Sequence, residues 1–185
     1  IGQVWRFTPG GAVSTLATEQ PGVVHVVAGD GEVFWADAES ITHYDLSTET
    51  SQPYWDGLND IKSLSLDTDY LLVAAALSAT DWRIYTDNRT SNTLTELVNA
   101  NTLGNLGDVV LPYGLAHADG KIYVTLRYIN WPSSGFVYRY DLSTSAKKKI
   151  VHSAPGIGPL TLWGEHIYWG SWTTLSRLHQ DESGS

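Results

Sequence analysis

The densest collection of interaction-prone side chains is the run Arg127-Tyr128-Ile129-Asn130-Trp131-Pro132. Trp and Tyr combine a broad apolar face with a polar tip, while Arg and Asn add directional hydrogen bonds. Such a mixture suits a protein hot spot or a sugar platform. Trp82 and Trp172 stand in comparable connections elsewhere in the chain. The commoner duty of such a Trp is to pack between structural layers, so each carries both readings. The candidate ligand-binding set is Trp82, Arg127, Tyr128, Asn130, Trp131 and Trp172.

Other reactive types give weaker patterns. Six histidines raise metal or acid–base chemistry. His25, His117 and His166 fall at different offsets from the repeated strand motif described below, no His-x-x-x-His pair occurs, and His43 aligns with Arg6 and Arg139 in an ordinary strand position. Asp37, Glu39, Asp56, Asp60, Asp81 and Asp108 lie in expected loops without a calcium-loop spacing, and Asp commonly serves turns. No Gly-x-Ser-x-Gly elbow is present. The expectation is no catalytic residue, no metal ligand and no cofactor. Lys147-Lys148-Lys149 reads as charge guarding an outer strand, and Asn88-Arg89-Thr90 is a glycosylation sequon that matters only in a secreted eukaryotic chain.

Composition narrows the partners. The 185 residues are 42% hydrophobic and 17% charged, which is a globular composition. A net charge of −9 repels phosphate backbones and argues against nucleic acid. No apolar run approaches the roughly 18 residues of a membrane helix. Cysteine is absent, which removes disulfides, thiol catalysis and thiolate metal sites.

A repeat supplies the elements that must position these residues. Val33-Phe34-Trp35, Ile122-Tyr123-Val124 and Ile167-Tyr168-Trp169 share a pattern, with Leu71-Leu72-Val73 as a weaker copy. Asp30-Gly31 and Asp119-Gly120 precede two of them, a strong hairpin signal because the tight turn needs positive φ. A second motif ends at Phe7, Tyr44, Tyr85, Tyr140 and Leu178, at spacings of 37, 41, 55 and 38 residues. Asp-Leu-Ser-Thr follows two copies, at Asp45 and Asp141.

A period of about 40 residues with several short strands per unit is the signature of a β-propeller. The fold class is therefore all-β, a propeller of four-stranded antiparallel blades, about four present and part of a larger ring. Strand b holds the first motif and strand c the second. Strand a is expected at residues 23–27, 61–66, 114–118 and 160–163, and strand d at 12–17, 52–55, 94–98 and 149–151. Blade units are set at 1–18 (partial), 19–57, 58–99, 100–153 and 154–185 (partial), in one propeller domain or a fragment of one. The long spacing implies insertions at 99–108 and 128–134, and residues 91–104 have room for one helical turn. The five motif-ending residues are expected to be equivalent and buried. Five c strands against four of each other kind leave sheet edges open, to be met by remaining blades of the same propeller or by another chain.

Phe34-Trp35-Ala36-Asp37 and Tyr168-Trp169-Gly170-Ser171 in strand b resemble the YWTD propellers of lipoprotein-receptor-like extracellular modules. Arg139 and Arg177 in strand c fit that pattern, and Pro112-Tyr113-Gly114-Leu115-Ala116 is similar to the opening of strand a there and in NHL-type propellers. The resemblance implies a non-catalytic binding or scaffold module outside the cytoplasm, extracellular or periplasmic, with a protein or glycan partner. It implies that the b–c loops, with Trp82, Trp131 and Trp172, share one face around the channel. A minority of kindred propellers are lyases or lactonases with a metal in that channel, which is the alternative reading.

Overall fold

The computed structural model describes residues 2–20, 22–78, 80–87, 89, 93–100, 110–131, 134–171 and 174–180. Every regular element among them is a β-strand, and neighbouring strands pair antiparallel. The chain is an all-β protein of the propeller class, as its period implies. Among the described residues no helix is long and apolar enough to cross a membrane. The chain divides into two compact units, Ile1–Ile61 and Lys62–Ser185.

In the first unit, β1 (Gly2–Phe7) pairs with β2 (Val13–Gln20) as a two-stranded sheet. The four-stranded sheet runs β3 (His25–Gly29), β4 (Glu32–Ala36), β5 (Ile41–Asp45) and β6 (Thr50–Trp55). Val4, Val33, Trp35 and Tyr44 form its core, and Trp35 Nε1 donates to Gln20 Oε1 at 3.0 Å. On the opposite face of β4, Phe34 stacks on His43 with centroids 4.7 Å apart.

The second unit holds three sheets. β7 (Ile61–Leu66), which starts at the boundary residue, is followed by β8 (Leu71–Ala76), β9 (Trp82–Asp87) and β10 (Thr95–Asn99). The next sheet is β11 (Val110–Ala118), β12 (Lys121–Tyr128), β13 (Ser134–Asp141) and β14 (Lys147–Pro155). The last is β15 (Leu160–Trp163), β16 (His166–Gly170) and β17 (Leu175–His179). In each four-stranded sheet sequential strands are neighbours, which is the a-to-d order expected of a blade.

Period-two alternation explains how the middle sheet packs. Ile122, Val124, Leu126, Phe136 and Tyr140 meet Leu72, Ala74, Trp82 and Ile84 of the preceding sheet. Tyr123 and Val137 point the other way, into a core with Ile157, Leu160, Ile167 and Trp169. A sheet buried on both faces reads as a near-continuous apolar run, and β12 does. Gly114 shows how closely the inner strands approach, since a Cβ there would lie 2.6 Å from the Leu160 backbone N. Beside it Thr125 Oγ1 donates to the Gly158 carbonyl at 2.9 Å.

The Asp-Gly hairpins form as read. Asp30, Gly31, Asp119 and Gly120 all have positive φ, between 51° and 82°. Both Asp-Leu-Ser-Thr segments make the same turn, in which the Asp carboxylate accepts the backbone N–H groups two and three residues on. The strong hydroxyl and backbone bonds of Ser143 and Thr144 hold the Asp141 carboxyl down to about 2.

Four expectations need correction. Phe7 is 68% exposed, because among the described residues β1 pairs only with β2 and no strand b lies beside it. Tyr85 is not equivalent to Tyr44 and Tyr140. Those two pair with Val33 and Ile122, whereas the matching Leu71 pairs with Asp87 and Tyr85 pairs with Val73, two residues further along. The turn closed by Asp67 N on the Tyr70 carbonyl ends just before Leu71, as Gly29↔Glu32 ends before Val33, so the weak copy is Leu71-Leu72-Val73 as read, and Tyr85 is half-buried on the matching face but two residues out of step. Leu178 does pair with Ile167 but is only partly buried. The helical turn near 91–104 is strand β10 wherever that span is described beyond its flanks, and residues 101–109 lie outside the described residues. Strands a and d otherwise differ from the expected ranges by a few residues, with β11 beginning at Val110 and β14 extending to Pro155.

Candidate functional site

The β12–β13 hairpin carries most of the candidate set. Its strands have eight residues each, against six each in β8 and β9. Two more residues per strand add roughly 7 Å of length. One of the two lies at the end that carries the connection, where Ser134 N donates to the Trp131 carbonyl at 2.8 Å. Trp131 is 67% exposed, and Ile129 and Asn130 beside it are exposed too.

Arg127 and Tyr128 are half-buried on the same strand. The Arg127 guanidinium lies over the Tyr113 ring, 3.8 Å from its centroid. Tyr113 reaches it because the ladder shifts between Pro112↔Leu126 and Gly114↔Thr125, leaving Tyr113 as the extra residue of a bulge. Bulges re-aim side chains in this way. Pro112 is tolerated because β11 is an edge strand. Tyr128 packs edge-on against Phe136 at 5.3 Å, and burial together with the nearby Tyr128 raises the Tyr138 hydroxyl above its ordinary range.

Arg83, Arg89 and Arg139 are committed elsewhere in this unit. Arg83 pairs with Glu96 at 2.9 Å, Arg89 donates to the Asp67 and Thr68 carbonyls, and Arg139 donates to the Gln180 carbonyl. Arg127 has no carboxylate within ion-pair reach among the described residues.

Two other candidates end differently. Trp82 is 1% exposed, inside the core with Ile84, Leu126 and Phe136. Its strand partner is Ala76, and Ala74 lies in the same cluster, so small side chains make room for the indole. Trp82 therefore presents nothing to a ligand, and its expected place in a binding face is corrected to core packing. Trp172 lies outside the described residues. Sequence reading passed over Tyr113 as a site residue. The available signal was its place beside a Pro in an edge strand, where bulges occur.

The opposite end of these strands has another character. The β7–β8 and β11–β12 turns and the start of the β13–β14 turn line a cleft of ≈ 650 Å³ with Asp67, Asp69, Tyr70, His117 and Asp119. Asp67 Oδ2 pairs with His117 Nδ1, Asp67 Oδ1 accepts from Asp69 N and Tyr70 N, and the Tyr70 ring meets the imidazole edge-on at 5.6 Å. His117 Nε2 is buried without a partner. No group of three or more His, Asp or Glu with metal-holding geometry occurs among the described residues.

No protein-family profile matches the chain, and no curated protein is similar to it in sequence. Solved structures are similar in fold. TolB from Acinetobacter baumannii superposes with a TM-score of 0.70 at 15% identity, over 96% of this chain and 46% of that one. A chain of the mitotic checkpoint complex gives 0.66 at 14% identity, over 98% and 56%. The computationally designed Ika4 protein gives 0.59 at 12% identity, over 88% and 93%. The chain thus spans about half the length of the first two. At such identities the likeness is one of fold, and it places the chain in the β-propeller class without choosing the YWTD subfamily.

Proposed function

We propose that this chain is a non-catalytic binding or scaffold propeller that recognises a protein through the β12–β13 hairpin. The observation that carries the reading is Trp131, 67% exposed at the tip of a hairpin longer than its neighbour, with Arg127 stacked on Tyr113 behind it. Trp, Tyr and Arg are the types that dominate binding energy in protein interfaces. An indole held in water gains nothing for the fold, whereas covering it on binding is favourable. The reading includes a single propeller domain, or a piece of one, acting outside the cytoplasm, in keeping with the resemblance to lipoprotein-receptor-like modules. The similar chain of the mitotic checkpoint complex carries this fold within a protein complex. A glycan would use the same aromatic platform and is a competing outcome of the test.

The test captures proteins on the immobilised chain, identifies them, and titrates each purified partner against the chain and its Trp131→Ala variant. The expected result is a partner that binds the variant at least roughly tenfold more weakly. Partners indifferent to Trp131→Ala, or glycan binding alone, would overturn the reading.

A further inference from the structure

We infer that the hairpin selects a partner segment bearing a carboxylate, an Asp or Glu next to an apolar residue, with Arg127 as the anion anchor. The inference rests on the protein-binding reading above and adds the chemistry of the ligand.

Arg127 carries this assignment through its geometry. One face of its guanidinium is covered by the Tyr113 ring at 3.8 Å. Stacking restrains the plane while leaving the in-plane N–H groups available, and those five donors form the fork that matches a carboxylate. No acidic residue neutralises it among the described residues, unlike Arg83, which is held by Glu96 and Asp81. The side chain is half-buried, so its water shell is already thinned, and a restrained, partly desolvated Arg spends less ordering entropy on binding. Ile129 and Trp131, two and four residues further along the hairpin, supply apolar surface for the flanking residue.

The charge of the whole chain sharpens the choice. At a net −9 the surface at large repels an acidic segment, so favourable contact is confined to places where a cation stands unpaired. A basic segment would instead be drawn to the cleft with Asp67, Asp69 and Asp119 at the opposite end of the strands. Electrostatics of this kind gives specificity more than raw affinity.

The test pans a random-peptide phage library on the intact chain, then measures synthetic versions of the enriched peptides against the chain, Arg127→Ala, Arg127→Lys and Trp131→Ala. Thermal melts of all three variants should match the parent, because both side chains lie outside the core clusters. The expected outcome is enrichment of Asp or Glu beside an aromatic or aliphatic residue. Arg127→Ala, or Glu→Gln in the peptide, should each weaken binding roughly tenfold or more, with little further loss when combined. Arg127→Lys should restore only part, since an ammonium lacks the planar fork. Peptides that need Trp131 but neither Arg127 nor an acid would overturn the carboxylate inference and leave the binding reading standing. Absence of any Trp131-dependent peptide would overturn both.

Discussion

Two tryptophans stand near the turn between the second and third strands of neighbouring sheets, Trp82 as the first residue of its strand and Trp131 in the connection itself, and they meet opposite fates. Trp82 is 1% exposed and Trp131 67%. Nothing in the residue type decides this. The β8–β9 connection is drawn tight, with Leu77 N donating to the Asp81 carbonyl at 2.7 Å, and it starts the third strand with Trp82 opposite Ala76. The indole folds down over alanines into the core. The β12 and β13 strands end at Tyr128 and Ser134, so Trp131 falls in the connection itself, with no strand partner, and stands exposed. A place in the strand ladder and a small opposing residue, taken together, separate a core Trp from a surface one.

The largest expected effect breaks that pair apart. Trp82→Ala should cost about 3–5 kcal/mol, the range for a fully buried aromatic whose site cannot collapse. Trp131→Ala should change stability by no more than about 0.5 kcal/mol, as exposed substitutions do. Urea unfolding of both variants checks the contrast, and equal losses would mean that the hairpin tip is packed after all.

Smaller effects probe the base on which the exposed hairpin stands. Gly114→Ala should destabilise by about 1–3 kcal/mol, because the new methyl meets the Leu160 backbone rather than a yielding side chain. Thr125→Val keeps the shape but leaves the Gly158 carbonyl without its buried donor, at a cost of about 1–2 kcal/mol. Should both be neutral in a thermal melt, the close approach of β11–β12 to residues 158–160 is not what anchors the hairpin.

How much of this was legible beforehand depends on the range of the interaction. The Asp30-Gly31 and Asp119-Gly120 turns are local, with positive φ that the residues themselves permit, and they formed as read. The same is true of the Asp45 and Asp141 turns. The β8 copy begins at Leu71 as read, but Tyr85 stands two residues out of step with Tyr44 and Tyr140, a displacement that no local pattern marks. Burial of Trp82 depends on Ala74 and Ala76 across the strand pair, and the run Ala74-Ala75-Ala76 was the one hint of space. Tyr113 met Arg127 through a bulge that no local pattern announced. Asp67 and His117 are 50 residues apart and were brought together by sheet packing alone.

The smallest effect lies at the other end of β13, where the chain leaves the strand through Asp141 instead of Trp131. Its carboxylate accepts hydrogen bonds from the Ser143 hydroxyl and from the N–H groups of Ser143 and Thr144, and its folded value stands at about 2 against 3.8. A depressed carboxylate contributes stability that is fully present above the unfolded value and is lost as pH falls through the folded one. Between pH 4 and 2 the unfolded chain binds the proton more readily, so acid should erode stability across that window. Asp141→Asn removes this titration, and its melting temperature should fall less steeply than the parent's over the same range. The group is fully exposed, so the difference will be modest and reduced by added salt. Asp45, lowered by the same Ser and Thr contacts in the first unit, is the internal control and should respond in the same direction. Identical acid limbs for parent and Asp141→Asn would mean that the turn is equally formed in the unfolded chain. The polar end of the strand would then be as indifferent to stability as Trp131 is expected to be.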